Sequence, residues 1–121
     1  MKTLYCWRCR TDVPMLDETE WAVVARELEI AIDRARAFHR SHPAPDSAAA
    51  IFDRSIEKLF LPALAAYQRI TGFREDNHNA LFHHRLALYG APCKECGRPL
   101  RSPNARLCGS CMCPVEELPS P

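Results

Sequence analysis

Two C-x-x-C pairs near the end of the chain, Cys93/Cys96 and Cys108/Cys111, constrain its fold more than any other feature. They bracket a loop of eleven residues, 97–107. Each pair places two sulfurs on one side of a tight turn, and two such turns facing each other form a tetrahedral S₄ cage. Zn²⁺ suits that cage because it accepts thiolates and has no d-electron preference for another geometry. Gly97 follows the second cysteine, where a knuckle needs positive φ, and Gly109 inside the second pair is expected to do the same there. A four-cysteine zinc has no coordination position left for a substrate water, so the expected role is structural.

The bulk composition narrows the class. With 121 residues, 47% hydrophobic and 26% charged, the chain is expected to form one domain, or a small domain with a zinc appendage. Its net charge of +1 argues against whole-molecule electrostatic capture by nucleic acid or an anionic membrane. No apolar run approaches the ~20 residues needed to span a bilayer. The first residues carry no signal-peptide apolar region, so a cytoplasmic location is expected. Seven cysteines, mostly in C-x-x-C pairs, then read as reduced metal ligands rather than a disulfide set.

A third pair, Cys6/Cys9, lies between the short apolar stretches Thr3-Leu4-Tyr5 and Val13-Pro14-Met15-Leu16. This predicts a knuckle between two short β-segments, with Pro14 in an edge position. From Asp17 the period changes. Asp17 followed by Glu20 resembles a capping box, and Trp21, Val24, Leu28, Ile32 (or Ala31), Ala35 and Phe38 recur at helical steps. Val23, Ile30 and Ala37 widen the apolar face, which suggests burial against more than one neighbour. Pro43 and Pro45 end this helix. Asp46 caps a second helix carrying Ile51, Phe52, Ile56, Leu59 and Phe60. Pro62 either kinks that helix or opens a new one, and Gly72 is its αL terminator. A polar connection leads to a short helix near Asn77, and residues 85–90 read equally as helix or strand.

The expected fold is therefore mainly α with a small β element. Residues 1–16 form a zinc-knuckle-like hairpin packed on the core, 17–90 a helical core, 91–113 a C-terminal zinc ribbon, and 114–121 a disordered tail. All four parts are expected to act as one cooperative unit. Trp21, Leu28, Phe38, Phe52, Leu59 and Phe60 are expected to meet in its core.

Cys6 and Cys9 lack the strand–helix context of a thioredoxin-like redox pair, and Arg10 stands where haem attachment needs histidine. That leaves metal. A second zinc site completed by His78 and His83 matches C-x₂-C…H-x₃₋₅-H spacing, with His84 as an alternative to His83. The pair can instead share the ribbon's ion. His39 and His42 fall in a helix's last turn, where they complement the dipole, and Cys113 has no partner at knuckle spacing. Lys94, Arg98, Arg101 and Arg106 make the ribbon loop basic. They either offset an anionic Zn(Cys)₄ centre or contact nucleic-acid backbone, although aromatic residues for base stacking are missing from the loop. No catalytic motif stands out, and a non-enzyme is expected.

The segments YCWRC, HHRLALYGAPC and CGRPLRSPNARLCGSC together resemble small bacterial proteins with an N-terminal C-W-x-C knuckle, a helical middle and a C-terminal zinc ribbon. The likeness covers both ends of the chain and implies zinc. Some bacterial proteins of similar size are immunity partners of toxins, so it also implies a protein partner of that kind. The expected function is thus non-enzymatic, zinc-dependent protein–protein interaction, with Glu20, Glu27 and Asp33 on the first helix meeting a basic partner. The alternatives are a nucleic-acid-binding or transcription-associated ribbon using Arg98, Arg101 and Arg106, and a thiol redox sensor that releases zinc on oxidation.

Overall fold

The computed structural model describes residues 1–41 and 54–115. The expected cap at Asp46, the helix end near Pro43, the core place of Phe52 and the tail beyond Val115 lie outside the described residues. The chain divides into two compact units, one made of 1–18 with 83–121, the other of 19–82.

In the first unit, β1 (Lys2–Cys6) and β2 (Thr11–Met15) form an antiparallel hairpin with Leu4 opposite Val13 and Thr3 opposite Pro14. A two-stranded sheet has only edges, so the N–H that Pro14 lacks costs no central ladder bond. The strand alternation sends Cys6, Val13 and Met15 to one face. There they are buried, with Leu4, Cys9, Leu86 and Tyr89 packed around them. Leu16 continues β2 into a parallel bridge with Arg85. Its N–H donates to the His84 carbonyl at 2.8 Å, and its carbonyl accepts from Leu86 N–H at 2.9 Å.

The stretch 85–90, ambiguous in sequence, becomes this bridge followed by a 3₁₀ turn at Leu86–Leu88. Gly90 and Ala91 then pair with Leu100 and lead into the cysteine-rich end. Pro114 and Val115 still belong to that end. Pro114 bridges Leu107, and Val115 N–H donates to the Arg106 carbonyl at 2.9 Å.

The second unit is helical. Helix α1 (Glu18–Ser41) buries Val24, Leu28 and Ala31. A six-residue α2 (Arg54–Leu59) gives way at Phe60 to α3 (Leu61–Thr71). Pro62 thus opens a new helix in its first turn, where its missing N–H leaves no bond unmade. Gly72 ends α3 in the left-handed region at φ 73°, donating its N–H to the Gln68 carbonyl. A 3₁₀ turn, His78–His83, follows where a short helix was expected. Leu28, Phe60, Ala63, Ala66, Tyr67, Ala80 and Leu81 are buried in this unit.

The expected core needs correction at its margins. Trp21, Phe38 and Leu59 are only half-buried, and Trp21 meets Phe82 edge-on at 6.4 Å. Val23 and Ile30 are 49% and 38% exposed, and Ala37 is exposed too. These three recur every seven residues on one stripe, turned away from the line through Val24, Leu28 and Ala31. The apolar periodicity of α1 is therefore broader than the face it buries. No helix among the described residues is long and apolar enough to cross a membrane.

Candidate metal centres

The four ribbon cysteines converge. Sγ of Cys93 lies 3.7 Å from that of Cys111, Sγ of Cys96 lies 3.5 Å from that of Cys108, and all four fall within 4.8 Å of one another. Zn–S bonds of about 2.3 Å in a tetrahedron set the sulfurs about 3.8 Å apart. The cage already has the size a tetrahedral thiolate-bound ion needs.

The backbone explains how. Cys93 N–H donates to the Arg98 carbonyl at 2.8 Å, and Gly97 N–H returns to the Cys93 carbonyl at 2.9 Å. Cys108 repeats the pattern, with its N–H on Cys113 and Met112 N–H on its carbonyl, both at 3.0 Å. Both turns need a left-handed residue after the second cysteine, and Gly97 (φ 78°) and Met112 (φ 62°) supply it. Gly109 does not take the positive φ expected of it. Its bare Cα makes room for Arg101 instead, since a Cβ there would lie 2.7 Å from Arg101 Nε.

The Cys6/Cys9 turn is a third copy. Cys6 pairs with Thr11 across the hairpin, Arg10 N–H donates to the Cys6 carbonyl at 2.8 Å, and Arg10 sits at φ 57°. Its third donor is His84, whose Nε2 lies 3.4 Å from Cys9 Sγ. Cys6, Cys9 and His84 form one group within 4.8 Å. A tetrahedral ion with one sulfur and one imidazole ligand sets those atoms about 3.6 Å apart, so this donor set fits as well. Each of the two groups can hold a metal ion.

His84 was the alternative in sequence, and neither His78 nor His83 joins Cys6 and Cys9. His78 belongs to the helical unit, where its ring stacks on Phe60 at 3.9 Å. His83 ends the 3₁₀ turn and lies outside the Cys6/Cys9 group. Its neighbour His84 is held by the Leu16 bond and is fully buried, whereas His83 is half-buried. Spacing alone gave no sign of this, because the choice between adjacent histidines depends on a parallel bridge between Leu16 and Arg85 far apart in sequence. The ribbon and the Cys6/Cys9 group are also separate centres, so the two do not share one ion.

Second-layer contacts hold the Cys6/Cys9/His84 group. The Tyr89 hydroxyl donates to the His83 carbonyl at 2.6 Å and lies 3.7 Å from Cys6 Sγ. Burial, and then the Cys6 sulfur, raise its pKa far above the ordinary phenol value. Arg85, next to His84, grips Glu18 through two bonds of 2.8 and 2.7 Å, and that contact lowers the Glu18 carboxyl. Burial, then the nearby Arg8 charge, lowers His83, and burial lowers His78 against the pull of Glu57. In the ribbon, backbone N–H groups of Cys111 and Ser110 hold the Cys108 thiol down at about 6. At Cys111 the Cys113 backbone pulls the same way, but desolvation and the three neighbouring sulfurs outweigh it and push the thiol up to about 12.

The aromatic residues missing from the ribbon loop arrive from the hairpin. Arg98 lies over the Tyr5 ring at 4.1 Å and Arg101 over the Trp7 ring at 4.7 Å, while Trp7 Nε1 donates to the Pro99 carbonyl at 3.1 Å. Tyr5 and Trp7 meet edge-on at 5.2 Å. Hairpin and ribbon are thereby tied together within the first unit. Glu27 and Glu20 are half-buried on α1 and Asp33 is exposed. Cys113 stays outside the four-sulfur group. No protein family, no curated protein and no solved structure matches this chain.

Proposed function

We propose that the chain is a non-enzymatic, two-zinc protein-interaction module whose α1 face takes a basic protein partner, as an immunity protein takes a toxin. Sulfur-rich tetrahedral donor sets favour Zn²⁺ over the harder divalent ions. The two ions would hold together a unit whose described residues bury few large apolar side chains. The observation that carries the partner reading is the exposed Val23–Ile30 stripe on α1, with Glu20 and Glu27 along one side and Asp33 on the other. An apolar strip with charged flanks, to which Arg26 and Arg34 also contribute, suits a partner with an apolar ridge and complementary charges, where the charges speed encounter and the strip slows release.

The test is affinity capture from the native host with the zinc-loaded protein. Glu20→Lys/Glu27→Lys should lose a captured protein that the parent retains, mainly through slower association. Neutralising Arg98 and Arg106 should leave that capture intact. A second reading, nucleic-acid contact through Arg98, Arg101 and Arg106, gains support from the rings of Tyr5 and Trp7 beside the arginines. Nuclease-sensitive capture that depends on the arginines and ignores the α1 charges would replace the first reading with the second.

A further inference from the structure

A cleft of about 350 Å³ opens beside the Cys6/Cys9/His84 group, lined by Trp7, Arg8, His83, Leu88, Tyr89 and Arg101. No carboxylate lines it. Among the described residues neither Arg8 nor Arg101 has an acidic partner, and both side chains are exposed. We propose that this cleft binds a phosphate group, with Arg8 and Arg101 as its two cationic contacts.

The charge balance of the metal centres separates Arg8 from an ordinary counter-charge. The ribbon's four thiolates around a divalent ion leave two negative charges, and Arg98, bonded to Ser110 Oγ at 2.9 Å within that turn, is placed to offset them. Two thiolates, one neutral imidazole and a divalent ion sum to zero at the Cys6/Cys9/His84 group. Arg8, fixed between two of its donors, therefore has no anion of the protein's own to neutralise.

Geometry adds direction. Arg101 Cζ lies over the Trp7 ring at 4.7 Å, a cation–π contact that holds the guanidinium's planar fork of N–H donors at the cleft. That fork is the arrangement that matches phosphate oxygens. Gly109 leaves the room for it, since any Cβ at that position would collide with Arg101 Nε. The cleft volume lies at the lower end of small-ligand sites, enough for a nucleotide-sized group beside its phosphate. The phosphate has two sources with this chemistry, a free monoester or a phosphodiester of a single strand.

The experiment titrates the zinc-loaded protein at low salt with inorganic phosphate, AMP and a short single-stranded oligonucleotide, read by calorimetry and by Trp7 fluorescence with Trp21→Phe as background. Arg8→Gln and Arg101→Gln should each weaken binding about tenfold or more, the loss expected for one charge-assisted contact. Gly109→Ala should weaken it through displacement of Arg101 while the Arg101 charge is kept. Lys94→Ala, a base outside the cleft, should change little. Zinc content of each variant confirms that it is folded; where Gly109→Ala loses zinc, the two arginine variants decide alone. Binding of phosphate and AMP identifies a free monoester as the source, and binding of the oligonucleotide alone identifies a phosphodiester. The proposal is overturned by no binding of any probe, or by binding that Arg8→Gln/Arg101→Gln leaves at full strength. Oligonucleotide binding that needs Arg98 and Arg106 but not Arg8 also overturns it, and assigns the contact to the ribbon loop. Protein capture by α1 is a separate readout, so either idea can fail while the other stands.

Discussion

Arg10, Gly97 and Met112 occupy the same place in three turns, yet only Gly97 is free of the steric penalty of the left-handed region. That penalty is roughly 1–2 kcal/mol for a residue with a Cβ. Arg10→Gly and Met112→Gly should then be neutral or stabilising by up to about 1 kcal/mol, after the larger unfolded-state entropy of glycine is subtracted. Gly97→Ala should destabilise by about 1 kcal/mol or more. Thermal melts of the zinc-loaded variants measure all three, and a loss for Met112→Gly as large as that for Gly97→Ala would show that the turns are not equivalent. The sequence pointed to Gly97 because glycine marks positive φ. It could not point to Arg10 or Met112, since there the turn's own hydrogen bonds impose the conformation on ordinary residues. Tyr89 was equally silent. Its hydroxyl reaches Cys6 Sγ across 83 positions of chain, and no local pattern records that. Tyr89→Phe should cost about tenfold or more in metal affinity at the Cys6/Cys9/His84 group, the usual effect of losing such a support. Chelator competition with Cys108→Ser as a background isolates that group. Unchanged affinity would reduce Tyr89 to packing alone.

Among the elements, those with punctuation were readable and those built by distant pairing were not. Pro62 and Gly72 bracket α3 from within the sequence, and the cysteine-flanked hairpin announces itself by two short β-rich runs. The parallel bridge from Leu16 to Arg85 has no such sign, although it decides that His84 rather than His83 faces Cys9. Glu18 and Arg85 close that bridge from outside. The Glu18 carboxyl is lowered by Arg85, so the pair is intact above the ordinary carboxylate range. It is lost only as pH falls through the lowered folded value. Arg85→Ala should remove this contribution above the carboxylate range and loosen the metal at His84 there, again read by chelator competition. The breadth of the α1 pattern was misleading for a different reason. Hydrophobic periodicity identifies a helix face but not how much of it the molecule itself covers, and Val23 and Ile30 remain exposed. Leu28 is the sharper test of the buried side. At 2% exposure its replacement by alanine should cost ~2–5 kcal/mol, measured by denaturant unfolding of the zinc-loaded chain. An unchanged midpoint would mean that α1 packs through some other face.

At the scale of the whole molecule, the two units differ in what holds them. The helical unit buries Val24, Leu28, Ala31, Phe60, Ala63, Ala66, Tyr67 and Leu81 without any metal group among its described residues. The other unit gathers both donor groups and has Val13, Met15, Leu16 and Leu100 as its main buried apolar side chains outside them. Burial on that scale is too small to offset the entropy of ordering a two-stranded hairpin and three turns. The metal ions should therefore supply most of that unit's stability, because metal affinity there is also folding free energy. Purified protein should carry two zinc ions per chain. Cys108→Ser should lower the count to one by emptying the ribbon, and Cys9→Ser should lower it to one by emptying the other group. Chelation of both should expose residues 1–18 and 83–115 to protease while α1 and α3 keep their helical circular dichroism. One zinc per chain in the parent, lost by either substitution, would mean that the two groups do not bind independently. Simultaneous loss of helix and ribbon on chelation would mean that the metals support the whole chain, as the single cooperative unit expected from sequence requires.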